Sequence, residues 1–298
     1  SRGLGDVYKR QIKTNVSDEK LLYLSESKSF DIPKIFIPSV MHNDNNFIIS
    51  LGNFCKWLAS KAENAGVEIY PGFSVASILK DDSGTVFGIR TGDMGVLKDE
   101  TKGPNFQPGI QIQSKYLLLA EGCRGHLGKK IISEYSLNEQ SEHQTYGIGL
   151  KELWQVSDEN SSPGYVQHSI GWPLTDDVYG GSFLYHLDKN LVSIGMVIGL
   201  DYQNPHMSPY EEFQRFKTHP TIKKILMNGK RISYGARALN EGGWQSLPKL
   251  IFPGGALIGC EAGTLNTPKI KGTHTAMKSG MIASESVSYT HLTLPTTT

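Results

Sequence analysis

Residues 250–280, LIFPGGALIGCEAGTLNTPKIKGTHTAMKSG, join a buried strand, a glycine turn and the start of a helix. The apolar runs 250–252 and 256–258 are bounded by glycine, which is typical of a strand covered on both faces. Gly259 and Gly263 follow, where the absence of a Cβ allows the backbone to approach a ligand closely. The stretch therefore predicts a corner of an α/β domain that is able to hold a ligand.

A helix is predicted directly after this turn, over residues 272–283. The first N–H groups of a helix, here at Gly272 and Thr273, have no acceptor inside it, and the helix dipole adds partial positive charge. Such an end stabilises an anion, for example the pyrimidine side of a reduced flavin. The residues alone fit an ordinary strand–turn–helix corner equally well.

Unusual strings in this stretch and elsewhere in the chain decide between these interpretations. They are PKIKGTHTAMKSG (268–280), GARALNEGG (235–243), YGGSFLYHL (179–187), QTYGIGLKELW (144–154) and GLDYQNP (199–205). Together they resemble the electron-transfer flavoprotein–ubiquinone oxidoreductase family, and the resemblance is collinear from about residue 12 to 286. Two alternatives remain open: a related flavoprotein dehydrogenase of nitrogen-fixation electron transport, and a monooxygenase-like flavoprotein.

The resemblance implies the fold class α/β (α+β). The implied fold is that of an FAD-binding flavoprotein with two dinucleotide-binding folds, and an antiparallel sheet that binds the quinone substrate is inserted into it. We expect part of the FAD-binding domain at 12–143, the ubiquinone-binding sheet at 144–233 and the rest of the FAD-binding domain at 234–286. Residues 1–11 and 287–298 have no counterpart in the family and are expected to be artefactual tails.

The chain is expected to be a fragment. Its first methionine is Met41, which already lies inside the similar sequence. No GxGxxG motif follows a strand, because the glycines Gly122, Gly125 and Gly128 have the wrong spacing. We therefore expect the N-terminal phosphate-binding βαβ start and the C-terminal iron–sulfur domain to be missing. Without them, the fragment is expected to be inactive alone.

The resemblance also implies a set of FAD-binding residues. Strand 116–120 leads into an Ala-Glu-Gly sequence at a place where such flavoproteins carry this pattern. Arg237 and Asn240 are polar groups suited to a flavin edge, although an exposed turn would have the same sequence. Cys260 stands where many relatives place an aspartate that binds the ribityl chain, and this contact is in doubt because Cys bonds weakly. The expected residues are Val75, Ala120, Glu121, Gly122, Arg237, Asn240, Gly259, Cys260, Gly263, Gly272 and Thr273.

The strand-rich segment 144–200 is expected to hold the quinone. Its aromatic residues are more typical of a core than of a ligand cage. The paired glycines Gly180 and Gly181 precede an apolar strand, where a flat ring is able to lie against bare backbone. In the family, this doublet contacts ubiquinone. No catalytic residue and no metal ligand is expected in this chain, because a flavin carries the redox chemistry itself.

Composition is compatible with this interpretation but does not specify it. The chain has 298 residues, 38% of them hydrophobic, and its net charge of +1 gives no reason to expect nucleic acid. No apolar run reaches the length of a membrane span. The three cysteines, Cys55, Cys123 and Cys260, match neither a disulfide framework nor an iron–sulfur spacing.

The predictions of cofactors, partners and location rest on the resemblance. The implied cofactors are FAD and a 4Fe–4S cluster with ligands outside this chain. The implied partners are electron-transfer flavoprotein, ubiquinone and the membrane surface. The implied location is the matrix side of the mitochondrial inner membrane, or the cytoplasmic membrane of a bacterium.

Local patterns predict several further elements. Apolar residues at helical spacing predict a helix over 51–65 that Gly66 ends, followed by a strand at 67–72. A hairpin is predicted through 81–84. A helix is predicted to begin with Ser208 as the N-cap, with Phe213 and Phe216 on its buried side, and a shorter helix follows at 220–229.

Overall fold

The computed structural model describes the backbone of residues 14–292 and the side chains of residues 14–289. The predicted tail 1–11 and the last six residues of the predicted tail 287–298 lie outside the described residues. The chain divides into two compact units, residues up to 69 with 146–239, and residues 70–145 with those from 240 onward.

The secondary structure alternates between the two units along the chain. The strands are β1 (Thr14–Asn15), β2 (Asp18–Leu24), β3 (Ser29–Asp31), β4 (Phe47–Ile48), β5 (Val75–Lys80), β6 (Val86–Thr91), β7 (Met94–Val96), β8 (Lys102–Gln107), β9 (Gln111–Gln113), β10 (Leu117–Leu119), β11 (Tyr146–Gln155), β12 (Tyr165–Gly171), β13 (Gly180–His186), β14 (Leu191–Gly199), β15 (Lys230–Asn240), β16 (Ile251–Phe252) and β17 (Gly255–Leu257). The helices are α1 (Leu51–Asn64), α2 (His126–Glu134), α3 (Pro209–Thr218), α4 (Pro220–Leu226) and α5 (Thr273–Leu292).

The first unit is built on a seven-stranded sheet with the order β15-β11-β14-β13-β12-β2-β3. Strands β11, β14, β13 and β12 pair antiparallel, which confirms the predicted sheet. The turn between β13 and β14 contains Lys189 and Asn190 with φ of 56° and 59°. Two consecutive positive φ values are typical of the turn that joins tightly twisted hairpin strands.

The N-terminal residues belong to this sheet, which differs from the predicted domain bounds. Strand β2 pairs parallel with β12, so that Asp18 lies opposite Tyr165 and Leu24 opposite Gly171. Leu22 and Leu24 are buried in the core of the first unit. Residues 14–69 therefore group with the sheet, whereas they were expected in the FAD-binding part 12–143.

Helices α3 and α4 cover one face of the sheet. The Ser208 hydroxyl accepts a hydrogen bond from the Glu211 N–H at 3.4 Å, and Pro209 is the first helical residue. Phe213 and Phe216 are fully buried against the sheet residues of the same core cluster. The predicted N-cap and the predicted buried side are confirmed.

The second unit surrounds a smaller sheet in which β10 and β17 pair parallel. Leu119 and Leu257 from these strands pack with Leu127 and Ile131 of α2. The predicted hairpin is confirmed, because β5 and β6 pair antiparallel across residues 81–85.

Two predictions about strands were wrong. Residues 250–258 form a tight antiparallel hairpin of β16 and β17 instead of one buried strand, and Ile251 is 68% exposed. Residues 67–72 form no strand, although α1 ends as predicted and Gly66 has a φ of 88°. A strand needs a hydrogen-bonded neighbour, and none of the strands described for residues 14–292 pairs with this segment.

Within residues 14–292, no helix combines the length and apolar character that a membrane crossing requires.

Candidate cofactor and substrate sites

The second unit brings two of the predicted cofactor segments together. The carboxyl ends of parallel strands lie at one edge of a sheet, where ligands of α/β proteins bind. Strand β10 leads into residues 120–122 and β17 leads into a turn at Gly259–Glu261. The Ile258 N–H donates to the Leu119 carbonyl at 3.0 Å, which continues the pairing up to this edge.

The glycine turn has the backbone conformation that its sequence predicts. Gly259 has a φ of 60° and Gly263 a φ of 84°, values that residues with a Cβ rarely adopt. The Gly259 carbonyl accepts from the N–H groups of Ala262 and Thr264, which closes the turn. Cys260 lies inside the turn, half-buried and not in a disulfide.

Helix α5 is joined to this turn by Ser279, which is not among the predicted site residues. The Gly259 N–H donates to the Ser279 hydroxyl at 2.8 Å, and that hydroxyl donates to the Ala276 carbonyl at 2.7 Å. A Cβ added at Gly259 would lie 3.6 Å from the Ala276 Cβ. The Gly259 N–H is thus used inside the chain.

The start of α5 matches the prediction. Thr273 is its first residue, and the Gly272 carbonyl accepts from the Ala276 N–H at 2.9 Å. Helix geometry leaves the N–H groups of the first turn without an intrahelical acceptor. Burial, with the charges of Lys269 and Lys271, lowers the pKa of His274. Positive charge is therefore concentrated at this end of the helix.

Glu121 interacts mainly with the start of α2. One of its carboxylate oxygens accepts from the N–H groups of Leu127 at 2.9 Å and Gly128 at 3.0 Å. The other lies 3.1 Å from His126 Nδ1. This carboxylate caps the start of the helix, and its negative charge interacts favourably with the positive end of the helix dipole. Its predicted cofactor contact stays a prediction.

A second carboxyl group, Glu261, lies beside Glu121. It is 7% exposed, and a Cβ at Gly125 or Gly128 would fall on its carboxylate. Burial, followed by the charge of Glu121, raises the pKa of Glu261 to about 7. The sequence signal for this residue is an acid inside an otherwise small and apolar turn, and Glu261 is not among the predicted site residues.

Arg237 and Asn240 were both predicted to contact the flavin, and this role stays a prediction. Both lie on β15, three positions apart, and successive strand residues face opposite sides, so the two side chains diverge. Arg237 is exposed, whereas Asn240 is 5% exposed. The Asn240 Oδ1 atom is buried and accepts no hydrogen bond from any residue that the structure describes. The Thr264 Oγ1 atom is also buried and has no hydrogen-bond partner among the described residues.

The other predicted cofactor residues have contacts within the second unit. Val75 begins β5 and packs against the core, and Ala120 directly follows β10. Gly122 has a positive φ of 90°. At Gly263, a Cβ would lie 2.7 Å from Gln144 Nε2, so that side chain would have to shift, and the positive φ of Gly263 also favours glycine.

The first unit contains the two predicted quinone residues. Gly180 and Gly181 begin β13 and pair with Ile198 and Val197 of β14. A Cβ at Gly180 would lie 2.5 Å from the Val197 carbonyl oxygen and 2.6 Å from Leu174 Cδ1. At Gly181 the nearest atom would be the Ser169 carbonyl oxygen, at 3.0 Å. Gly180 is therefore required by packing, and Gly181 less so.

Gly181 shares one side of the sheet with Phe183 and Tyr185, which we call the Gly181 face. The centroids of the Phe183 and Tyr185 rings lie 4.9 Å apart, and the Tyr185 hydroxyl is 2.8 Å from His168 Nε2. Burial raises the pKa of Tyr185 above its usual value, so the hydroxyl stays neutral. The face thus combines bare backbone at Gly181 with two neighbouring aromatic rings.

Comparison with known proteins identifies this arrangement. Residues 146–239 match the family model described as "ETF-QO, ubiquinone-binding". A Pseudomonas aeruginosa protein named electron transfer flavoprotein-ubiquinone oxidoreductase is 52% identical over 278 residues, which cover 93% of this chain and 50% of that protein. The chain belongs to this family.

The relation extends to eukaryotes. The Homo sapiens family member, named as mitochondrial, is 51% identical over 279 residues, which cover 93% of this chain and 45% of that protein. The chain thus spans about half the length of the curated relatives it matches. These relatives support the electron transfer flavoprotein–ubiquinone oxidoreductase family, and they do not support the alternative flavoprotein branches.

The fold also agrees with solved structures. A flavoprotein/dehydrogenase from Cytophaga hutchinsonii superposes with a TM-score of 0.61 at 16% identity, covering 96% of this chain and 65% of that one. At this identity the likeness concerns the fold alone. The predicted mixed α/β fold of FAD-binding flavoproteins is confirmed.

Proposed function

We propose that the protein to which this chain belongs is an FAD-dependent oxidoreductase that passes electrons from electron-transfer flavoprotein to ubiquinone. The observation that carries this proposal is the 52% identity, over 278 residues, to a relative with that name. The match of residues 146–239 to a ubiquinone-binding model supports the quinone as the acceptor.

The second unit would hold the flavin. FAD, when bound, supplies the electron-carrying chemistry, and the protein supplies position and electrostatic field. Asn240 Oδ1 is a buried acceptor that no described residue satisfies, and it would accept the N–H group of the flavin ring. The first N–H groups of α5, at Gly272 and Thr273, would stabilise negative charge on the ring. These two features fit FAD.

The Gly181 face would receive the quinone ring. Gly181 exposes backbone without a Cβ, and Phe183 and Tyr185 continue the surface with flat aromatic groups. The hydrogen bond between His168 and the Tyr185 hydroxyl would fix the orientation of the tyrosine ring. The chain would thus bind and orient the quinone through bare backbone and flat aromatic rings.

The iron–sulfur cluster, the membrane contact and the location are proposals for the whole protein. Within residues 14–292 no group of three or more His, Cys, Asp or Glu residues is able to hold a metal ion. The cluster therefore has no candidate ligands in this part, and we derive no step through it. By likeness to the human and Pseudomonas relatives, we propose the matrix side of the mitochondrial inner membrane or a bacterial cytoplasmic membrane.

The test uses the full-length protein. We expect it to purify with one FAD per chain. It should oxidise reduced electron-transfer flavoprotein, with a short-chain ubiquinone as the electron acceptor. Replacement of ubiquinone by molecular oxygen plus an aromatic substrate tests the monooxygenase-like alternative. A full-length protein that binds FAD but is not reduced by electron-transfer flavoprotein would refute the proposal.

A further inference from the structure

The helix-covered face of the seven-stranded sheet contains a cavity that the proposed function does not use. Its volume is about 460 Å³, which is in the range of small-molecule sites. Strands β12 and β13, the segment 159–162 and helix α4 form its walls. His186 lies five positions after Gly181 on β13, so its side chain points to the opposite side of the sheet.

The floor of the cavity contains a buried donor without an acceptor. Gln167 is 2% exposed and lines the cavity. Its Oε1 atom accepts from the Tyr165 hydroxyl at 3.2 Å, so the amide nitrogen is the remaining group. Among the residues that the structure describes, Gln167 Nε2 has no hydrogen-bond partner. Such a group is costly to bury unless it meets an acceptor.

A histidine adds a second donor. His186 is 2% exposed and also lines the cavity. Its Nδ1 atom accepts from the Ser162 N–H at 3.0 Å, so in the neutral ring the proton is on Nε2. Burial lowers the pKa of His186 to about 4, which keeps the ring neutral at physiological pH. The Tyr165 ring, 5.6 Å away, holds its orientation.

A lysine side chain supplies a third donor at the edge of the cavity. Lys224 lies on α4 and lines the cavity, whereas its neighbour Lys223 does not. Glu159 lies on the wall at 159–162 and is able to accept from a hydroxyl or amine of a ligand. Gln167, His186 and Lys224 therefore line one space, and their amide, imidazole and ammonium groups are able to donate to acceptor oxygens of a ligand.

We propose that this cavity binds a small metabolite through an oxyanion, a carboxylate or a phosphate, held by Gln167, His186 and Lys224. The site is distinct from the proposed quinone site, since it lies on the other side of the sheet from the Gly181 face. The proposal does not rest on the proposed function.

Calorimetric titration of the full-length protein with succinate and with inorganic phosphate tests this proposal, and the two probes distinguish the two oxyanions. We expect saturable binding of one probe. Lys224→Gln should weaken it about tenfold, as loss of a charge-assisted hydrogen bond does. Lys223→Gln is the matched control, because it removes the same charge from the same helix outside the cavity, and binding should stay within about twofold.

Two further measurements address the buried groups. Gln167→Leu should weaken binding about tenfold and leave the fold intact by circular dichroism. The His186 ring, followed by NMR, should titrate at a higher pH when the probe is bound, because an anion favours imidazolium.

Three results would overturn the proposal. They are the absence of saturable binding of either probe, equal losses in the Lys223 and Lys224 variants, and a crystal grown with the probes that contains only water at Gln167 Nε2. The lysine pair keeps the test decisive if Gln167→Leu does not fold.

Discussion

The backbone N–H of Gly259 donates a hydrogen bond of 2.8 Å to the hydroxyl of Ser279, twenty residues later. This bond joins the glycine turn after β17 to the second turn of α5. The turn and the helix start are two of the parts of the chain that are predicted to contact the flavin. Their relative position therefore depends on a side chain that is not itself at the proposed site.

Ser279→Ala tests this dependence. It removes the acceptor of the Gly259 N–H, and we expect a loss of about 1 kcal/mol in the free energy of unfolding. FAD affinity of the full-length protein should fall as well, because the turn is no longer fixed. Ser284→Ala is the control: Ser284 also donates to a carbonyl three residues earlier, at 2.8 Å, but it is exposed on the same helix. If both variants lose FAD affinity equally, the Gly259–Ser279 bond has no special role.

Glu261 predicts a defined pH dependence. Its pKa is raised from 4.5 to about 7, so between these values the folded state binds a proton that the unfolded chain has released. The contribution of Glu261 to the free energy of unfolding therefore falls as the pH rises through this window. Relative to wild type, Glu261→Gln should gain stability from about pH 4.5 to about pH 7 and stay level above it.

Urea denaturation across this window measures the difference between variant and wild type. Glu139→Gln, at an exposed glutamate of the same unit, is the control and should show no such trend. A difference between Glu261→Gln and wild type that does not change with pH would contradict the assignment.

The sequence predicted elements well where local rules decide them. The N-cap at Ser208, the buried Phe213 and Phe216 and the end of α1 at Gly66 all depend on residues close in the chain. Predictions failed where a distant partner decides. The alternating residues 67–72 favour a strand, but a strand forms only beside another one.

The candidate sites show the same limit. The glycine turn and the start of α5 were predicted because their residue types have a direct backbone meaning. The Gly259–Ser279 bond and the Glu121–Glu261 contact join residues that are far apart in the sequence. Arg237 and Asn240 were grouped because they are near in sequence, and the strand places them on opposite faces.

The start of α5 offers a second functional test. Thr273→Pro removes one N–H donor at the first helical position, where proline is tolerated, so the helix should persist. In the full-length protein we expect a more negative flavin reduction potential, because the reduced flavin loses stabilisation. Ser208→Ala should instead lower the melting temperature, at a cost of about 1 kcal/mol, without changing the potential. An unchanged potential in Thr273→Pro would refute the role of this helix end.

The isolated chain should not retain FAD. It spans about half the length of its relatives, and the sequence carries no glycine-rich pyrophosphate motif after a strand. The contacts at Asn240 and α5 should leave binding weak. We expect the purified chain of 298 residues to be colourless after gel filtration, as measured by visible absorption. Retention of one yellow flavin per chain would contradict this.

The central claim is that the whole protein reduces ubiquinone at the Gly181 face. Gly181→Ala in the full-length protein tests it, because the added Cβ intrudes on a ring lying there, while its nearest chain atom is 3.0 Å away. Gly180→Ala is the structural comparison, since its Cβ meets the Val197 carbonyl and Leu174 and should destabilise the sheet.

The decisive measurement is stopped-flow reoxidation of the reduced Gly181→Ala protein by ubiquinone. Reoxidation should slow about tenfold or more, while flavin content and reduction by electron-transfer flavoprotein stay near wild type. Equal loss in both half-reactions, or reoxidation at the wild-type rate, would contradict the account and place quinone reduction elsewhere.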